Sequence, residues 1–95
     1  MVEQGDIIKI EGISQTALVI SRNLYNESGH VIVCPVITGI SLTTFSFPMG
    51  EDEYVLYDNP RQFDLTSRGY TVINRISLAN LIQIADRLQS LFDYF

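Results

Sequence analysis

The feature that most limits how this chain can fold is a single change of period. Up to Ile73 the apolar residues come in short, β-branched or aromatic runs broken by turn residues; after Ser77 they recur every three or four positions. Asp6-Ile7-Ile8-Lys9-Ile10 reads as a strand after the turn residue Gly5. Thr16 to Ser21 is a second strand, so nearly continuous in apolar character that burial on both faces is expected. Asn23 to Gly29 reads as a polar loop. His30 to Ile37 is a third strand, in which Pro35 marks an edge or a bulge. Thr43 to Phe47 alternates polar and aromatic residues, and Pro48-Met49-Gly50 closes it. Glu53 to Tyr57 and the short Tyr70 to Ile73 complete the set. Ser77 is an expected N-cap. Leu78, Leu81, Ile82, Ala85, Leu88, Leu91 and Phe92 then form one face of an amphipathic helix, with Asn80, Gln83, Asp86, Arg87 and Gln89 opposite. Five or six short strands and one C-terminal helix predict a mainly β fold, a strongly bent antiparallel sheet or small barrel packed by that helix.

Ninety-five residues are read as one small domain, 1–95, able to bury one modest core. The hydrophobic fraction of 46% argues against disorder, and a slightly positive mean hydropathy places part of the apolar surplus in a partner interface. A net charge of −5 argues against generic nucleic-acid binding, though Arg61, Arg68, Arg75 and Arg87 all fall in the C-terminal part and leave room for a local basic groove. The lone cysteine, Cys34, excludes an intramolecular disulfide, fits a reducing cytoplasm and reads as a small core residue. The acidic start, Met1-Val2-Glu3-Gln4, is unlike a signal peptide. No apolar run approaches the roughly 20 residues that span a bilayer.

Phosphate-cradling glycine motifs are absent, and one His with one Cys cannot build a zinc site. Glu51-Asp52-Glu53 lacks calcium-loop spacing and reads as a solvated turn. No metal or cofactor is expected. His30 reads as an exposed or hydrogen-bonded structural residue, with a site role the other option. The densest chemistry lies in Asp58-Asn59-Pro60-Arg61-Gln62-Phe63-Asp64-Leu65-Thr66-Ser67-Arg68-Gly69, a polar loop between two strands and thus a natural place for binding residues.

Four stretches carry a resemblance: Gly5-Asp6-Ile7-Ile8, Ala17-Leu18-Val19-Ile20-Ser21, Val31 to Thr38, and Asp58 to Asp64 with Ser67-Arg68-Gly69. Taken in this order, they resemble the MazF/PemK toxins of bacterial toxin–antitoxin systems, nearest the PemK (Kid) branch. The last stretch, similar to D-Q-P-R-T-I-D followed by A-R-G, is the most specific. The resemblance implies an SH3-like barrel with a C-terminal helix, a homodimer, a cognate antitoxin whose tail occupies the substrate groove, and metal-independent cleavage of single-stranded RNA. It places Thr38, Asp58 and Gln15 at catalytic positions, with Ile37 competing for the Thr38 slot. Arg61, Arg22, Asn59 and Arg68 are the candidates for contacting substrate or antitoxin; a surface ion pair or turn anchor is the other role open to each Arg.

The chain also departs from the pattern. Its first connection is cut to Glu11-Gly12-Ile13-Ser14-Gln15-Thr16, with Gln15 and Thr16 where the family has Arg-Pro. Leu56 holds a second Arg position, and a loop His has no counterpart. Metal-free cleavage needs groups to move the 2′-hydroxyl and leaving-group protons and donors aimed at the phosphoryl oxygens. Arg suits the latter role through its permanent charge and fork of donors; Gln15 brings no charge. Three readings stand: an endoribonuclease toxin weakened at its site, a non-catalytic toxin that binds a protein target as CcdB binds gyrase, and an unrelated small barrel adaptor.

Overall fold

The computed structural model describes residues 1–39, 45–50 and 52–92; Thr43, Thr44, Glu51 and the Asp93–Phe95 end lie outside the described residues. The elements are β1 (Asp6–Ile10), β2 (Thr16–Val19), α1 (Asn23–Asn26), β3 (His30–Thr38), β4 (Ser46–Gly50), β5 (Glu53–Leu56), β6 (Arg61–Asp64), β7 (Tyr70–Arg75) and α2 (Leu78–Ser90). The strands form one antiparallel sheet in the order β4-β5-β3-β2-β1-β7, with β6 also on β3. Among the described residues β7 pairs only β1 and β4 only β5, so the sheet stays open.

β3 organises the sheet. One side pairs β2 through Val33–Val36; the other pairs β6 through His30–Val33 and then β5 through Val36–Thr38. Residues 34 and 35 fall in the gap between those two partners. The backbone of Ile32 faces β2, where its carbonyl accepts from Ile20. By two-residue alternation the backbone of Pro35 faces the gap, where no donor is needed. Pro35 therefore marks neither an edge nor a bulge.

Both faces of the sheet are buried, as the continuous apolar run in β2 predicts. Leu18 joins Ile7, Cys34, Val36, Val55 and Ile84 of α2 in one core, while Ala17 and Val19 join Ile8, Ile10, Val31 and Val33 in the other. The β1–β7 ladder slips between Ile7 and Ile8, which leaves Ile73 as the extra residue of a bulge. Buried Asp6 anchors the same end by an ion pair with Arg75 at 2.7 Å.

Several expectations change. Residues 23–26 are a helical turn, not a loop; four residues are too few to show a period. Within it Asn26 is 2% exposed. Its amide donates to the Ser21 carbonyl, the Ser21 hydroxyl donates back to Asn26, and Ile32 N donates to that hydroxyl. β4 runs through Pro48 to Gly50 instead of closing there, which an outermost strand tolerates. The loop 58–69 contains a strand, β6. Ser77 caps α2, accepting from Asn80 N at 3.2 Å, but the buried residue of α2 is Ile84, while Leu78 is 71% and Ile82 52% exposed.

Replacing Leu18 by Ala, at the crossing of β1, β2 and β3, lowers unfolding free energy by about 2–5 kcal/mol. Asn26→Ala, which removes both hydrogen bonds between Asn26 and Ser21, costs about 1–3 kcal/mol. Urea titration followed by circular dichroism measures both, and a larger loss for Asn26 than for Leu18 would invert the ranking argued here.

Candidate functional site

On the sheet face away from α2, the β1–β2 connection, β2, β3 and β6 enclose a groove of about 140 Å³. Its floor is apolar: Ile10, Ile13, Ala17, Val33, Pro35 and Phe63. Its polar groups are Gln15, Thr16, Asn59 and Arg61. Two-residue alternation explains the grouping. Arg61 pairs Val33 and Phe63 pairs Val31, so both side chains of β6 lie on the face that β3 gives to Val31, Val33 and Pro35.

The opposite side of β6 is pinned. Gln62 Nε2 donates to the Tyr25 hydroxyl at 2.6 Å. Asp64 accepts from both the amide and hydroxyl of Thr66 and lies 4.0 Å from His30 Nε2. These contacts fix the rotation of a four-residue strand and so aim Arg61 and Phe63 into the groove. The Arg68 guanidinium lies 5.5 Å from the Phe63 ring centroid, an Arg–aromatic contact that steadies the ring. Among the described residues Arg61 enters no ion pair. Arg75 and Arg87 are engaged elsewhere, on Asp6 and over the Phe47 ring.

Of the residues singled out in the sequence, Gln15, Asn59 and Arg61 come together. Arg68 stands behind Phe63. Arg22 precedes α1 and lines a different cleft, beside Leu81 and Ala85 of α2. Thr38 follows Cys34 and Val36 in alternation, which places it on the helix side of β3; Ile37 shares the row of Val33 and Pro35, though neither residue lines the groove. Asp58 does not line the groove either; burial, and secondarily the Asp58 charge, push the Cys34 thiol up to about 12. Cys34 is thus an inert core residue, as its apolar surroundings predict. Leu56 does not line the groove. Phe63 was not among the sequence candidates; reading R-Q-F-D as a strand would have paired it with Arg61.

A family profile described as PemK-like, MazF-like toxin of type II toxin-antitoxin system matches residues 3–92. The chain belongs to this family. Among solved structures, the toxin is similar to a chain of the MazE–MazF complex (form I) from Deinococcus radiodurans, at 25% identity and TM-score 0.81, over 96% of this chain and 95% of that one. Form II of the same complex gives 27% identity and TM-score 0.81 over 96% and 94%. An endoribonuclease in complex with its cognate antitoxin, from a mycobacterial species, gives TM-score 0.81 over 97% and 95% at 17% identity, a likeness of fold alone. Comparison with curated proteins finds no significant match. No helix among the toxin's described residues is long and apolar enough to cross a membrane.

The Thr66 donors hold the Asp64 carboxyl below the usual range. Because the unfolded carboxyl titrates near about 3.9, this contact stabilises the fold above that pH and is lost as pH falls through the lower folded value. Asp64→Asn removes that part of the acid limb, so the urea midpoints of wild type and variant draw together as pH falls through the lowered folded value. Parallel acid limbs would show that the turn carries no proton linkage.

Proposed function

We propose that the chain, acting as one domain, is a growth-arresting toxin that binds and slowly cuts single-stranded RNA in the groove of Arg61, Gln15 and Asn59. The observation that carries the reading is the convergence of an unpaired guanidinium and two carboxamides on an apolar trough, in a chain of the PemK/MazF family. Cleavage has the 2′-hydroxyl attack the adjacent phosphate. Arg61 supplies a permanent charge and paired donors for the phosphoryl oxygens as negative charge builds there. Thr16 adds a hydroxyl to the same groove. The residues lining it include no imidazole and no carboxylate. A positioned acid or base contributes about 10²–10⁴-fold, so the reaction is slow. Thr38, on the other side of β3, and Asp58, which does not line the groove, take no part in this reading.

Incubating purified protein with single-stranded RNA and mapping the new ends tests the proposal. Wild type cuts at defined sites, and Arg61→Ala lowers the rate about a hundredfold; RNA left intact at every protein concentration would end the nuclease reading. The lack of an acid–base group, with Gln15 where the family pattern has Arg, favours one alternative: a toxin that acts by binding a protein. Growth arrest without new RNA ends, accompanied by loss of gyrase supercoiling, identifies that case.

The toxin is further inferred to act in the cytoplasm as a homodimer held in check by a cognate antitoxin; the Deinococcus structure is a MazE–MazF complex and the mycobacterial one pairs an endoribonuclease with its cognate antitoxin. All six residues of β7 are exposed, Val72 and Ile73 among them, and Leu78 and Ile82 of the adjoining helix turn from the core. Such an apolar surface marks an interaction site. Size-exclusion chromatography with light scattering should give a dimer for wild type and a monomer for Ile73→Asp/Leu78→Asp. A wild-type monomer at micromolar concentration refutes the pairing.

A further inference from the structure

Two glycines lie under side chains from other segments, and both hold the turn between β6 and β7. The first is Gly29, at φ +91°. Its carbonyl accepts from Leu65 N at 2.9 Å, and the γ-methyl of Thr66 occupies the space a Cβ would need. The second is Gly69. Its φ is not positive, so its backbone would accept alanine. What fills its Cβ position is the carboxyl of Glu11. The Glu11 amide also donates to the Gly69 carbonyl at 2.9 Å, one rung beyond the Ile10–Tyr70 pair that ends the β1–β7 ladder.

The two ends of this contact belong to the two sides of the groove. Glu11 opens the β1–β2 connection, which turns at once: Gly12 takes φ +84° and Ile13 N donates to the Ile10 carbonyl at 3.0 Å. Ile13 and Gln15 of that connection line one side. Gly69 follows Arg68, whose guanidinium stands 5.5 Å from the ring centroid of Phe63 on the other side. We propose that Glu11 is a positioning residue: its carboxyl, lying across Gly69, locks the β1–β2 connection to the 65–69 turn and fixes the spacing between the two sides of the groove. Glu11 does not itself line the groove. It acts by shape, because a connection this short, held at its first residue, leaves little freedom at Gln15. The groove is then formed before a ligand arrives, which spares the ordering cost that binding otherwise carries.

The lock is tested in isotope-labelled protein by the Arg68 Nε–H resonance, which the current of the Phe63 ring displaces upfield. Glu11→Ala and Gly69→Ala should each return it toward the free-arginine position. The double variant should go no further, because both changes break one contact. Glu11→Gln, of the same shape, should keep the wild-type shift. Urea midpoints should hold for every variant, since residues 11 and 69 are exposed and the backbone bond between them stays.

The functional effect rests on the RNA reading above. In fluorescence anisotropy with a labelled 2′-O-methyl oligonucleotide of mixed sequence, which lacks the attacking hydroxyl, each single variant should bind about tenfold more weakly and the double no worse. A carboxylate acting only through its charge predicts the reverse, since its removal eases repulsion of phosphate. Unmoved Arg68 signals, effects that multiply in the double variant, tighter binding by Glu11→Ala, or a urea midpoint that falls with the signal each overturn the positioning role and leave the RNA reading intact. If wild type binds no oligonucleotide, the RNA reading fails and the Arg68 resonance alone decides the positioning role.

Discussion

β3 runs nine residues, His30–Thr38, and three other strands hydrogen-bond directly to it. Its β2 side is a single ladder. Its other side is shared, with β6 on the first half and β5 on the second. A strand with two successive partners on one side must have a break between them, and Pro35 stands in that break, where its missing N–H costs nothing. The remaining architecture follows. β6 brings Arg61 and Phe63 alongside Val33 and Val31, while β5 and β4 extend the sheet under α2. The groove exists because β6 leaves β3 just before Pro35, so that Pro35 and the buried Ala17 form its floor beside Arg61.

Alternation along β3 then divides the chemistry between two environments. Odd-numbered residues face the groove side; even-numbered residues face the helix. This parity keeps Cys34 in a closed core and separates Thr38 from the groove. Asp58 stays outside the groove as well, and its charge acts on Cys34. A one-residue shift in β3 would exchange the two rows and, with them, the composition of the site.

An overall charge of −5 and the proposed RNA groove are compatible because the basic residues have been sorted. Arg75 is committed to Asp6 and Arg87 to Phe47, each serving the packing of the C-terminal part against the sheet. Arg61 alone projects into the groove, with Arg68 one layer behind it. In the proposed RNA reading, affinity rests on that one guanidinium, the apolar trough and polar contacts more than on a broad positive field, which in many nucleic-acid-binding proteins supplies most of the binding energy.

The sequence by itself determined the mainly β class, most strand positions, the Ser77 cap, the burial of β2 on both faces and of Cys34, and the family through the Asp58–Gly69 motif. These are local: each depends on a period of two or of 3.6, on a turn residue or on a contiguous motif. It also named Gln15, Asn59 and Arg61. It did not show β6, since R-Q-F-D has no apolar alternation, nor α1, which is one turn long. It assigned Leu78 and Ile82 to the packed face of α2 and missed Ile84, because a helix with apolar residues on two sides has no unique inward face until a sheet meets it. Tertiary structure alone decided which candidates meet. The groove is assembled from segments around residues 10–17, 33–35 and 59–63, and only the pairing of β6 with the first half of β3 places Phe63 within it and the parity of β3 places Thr38 outside.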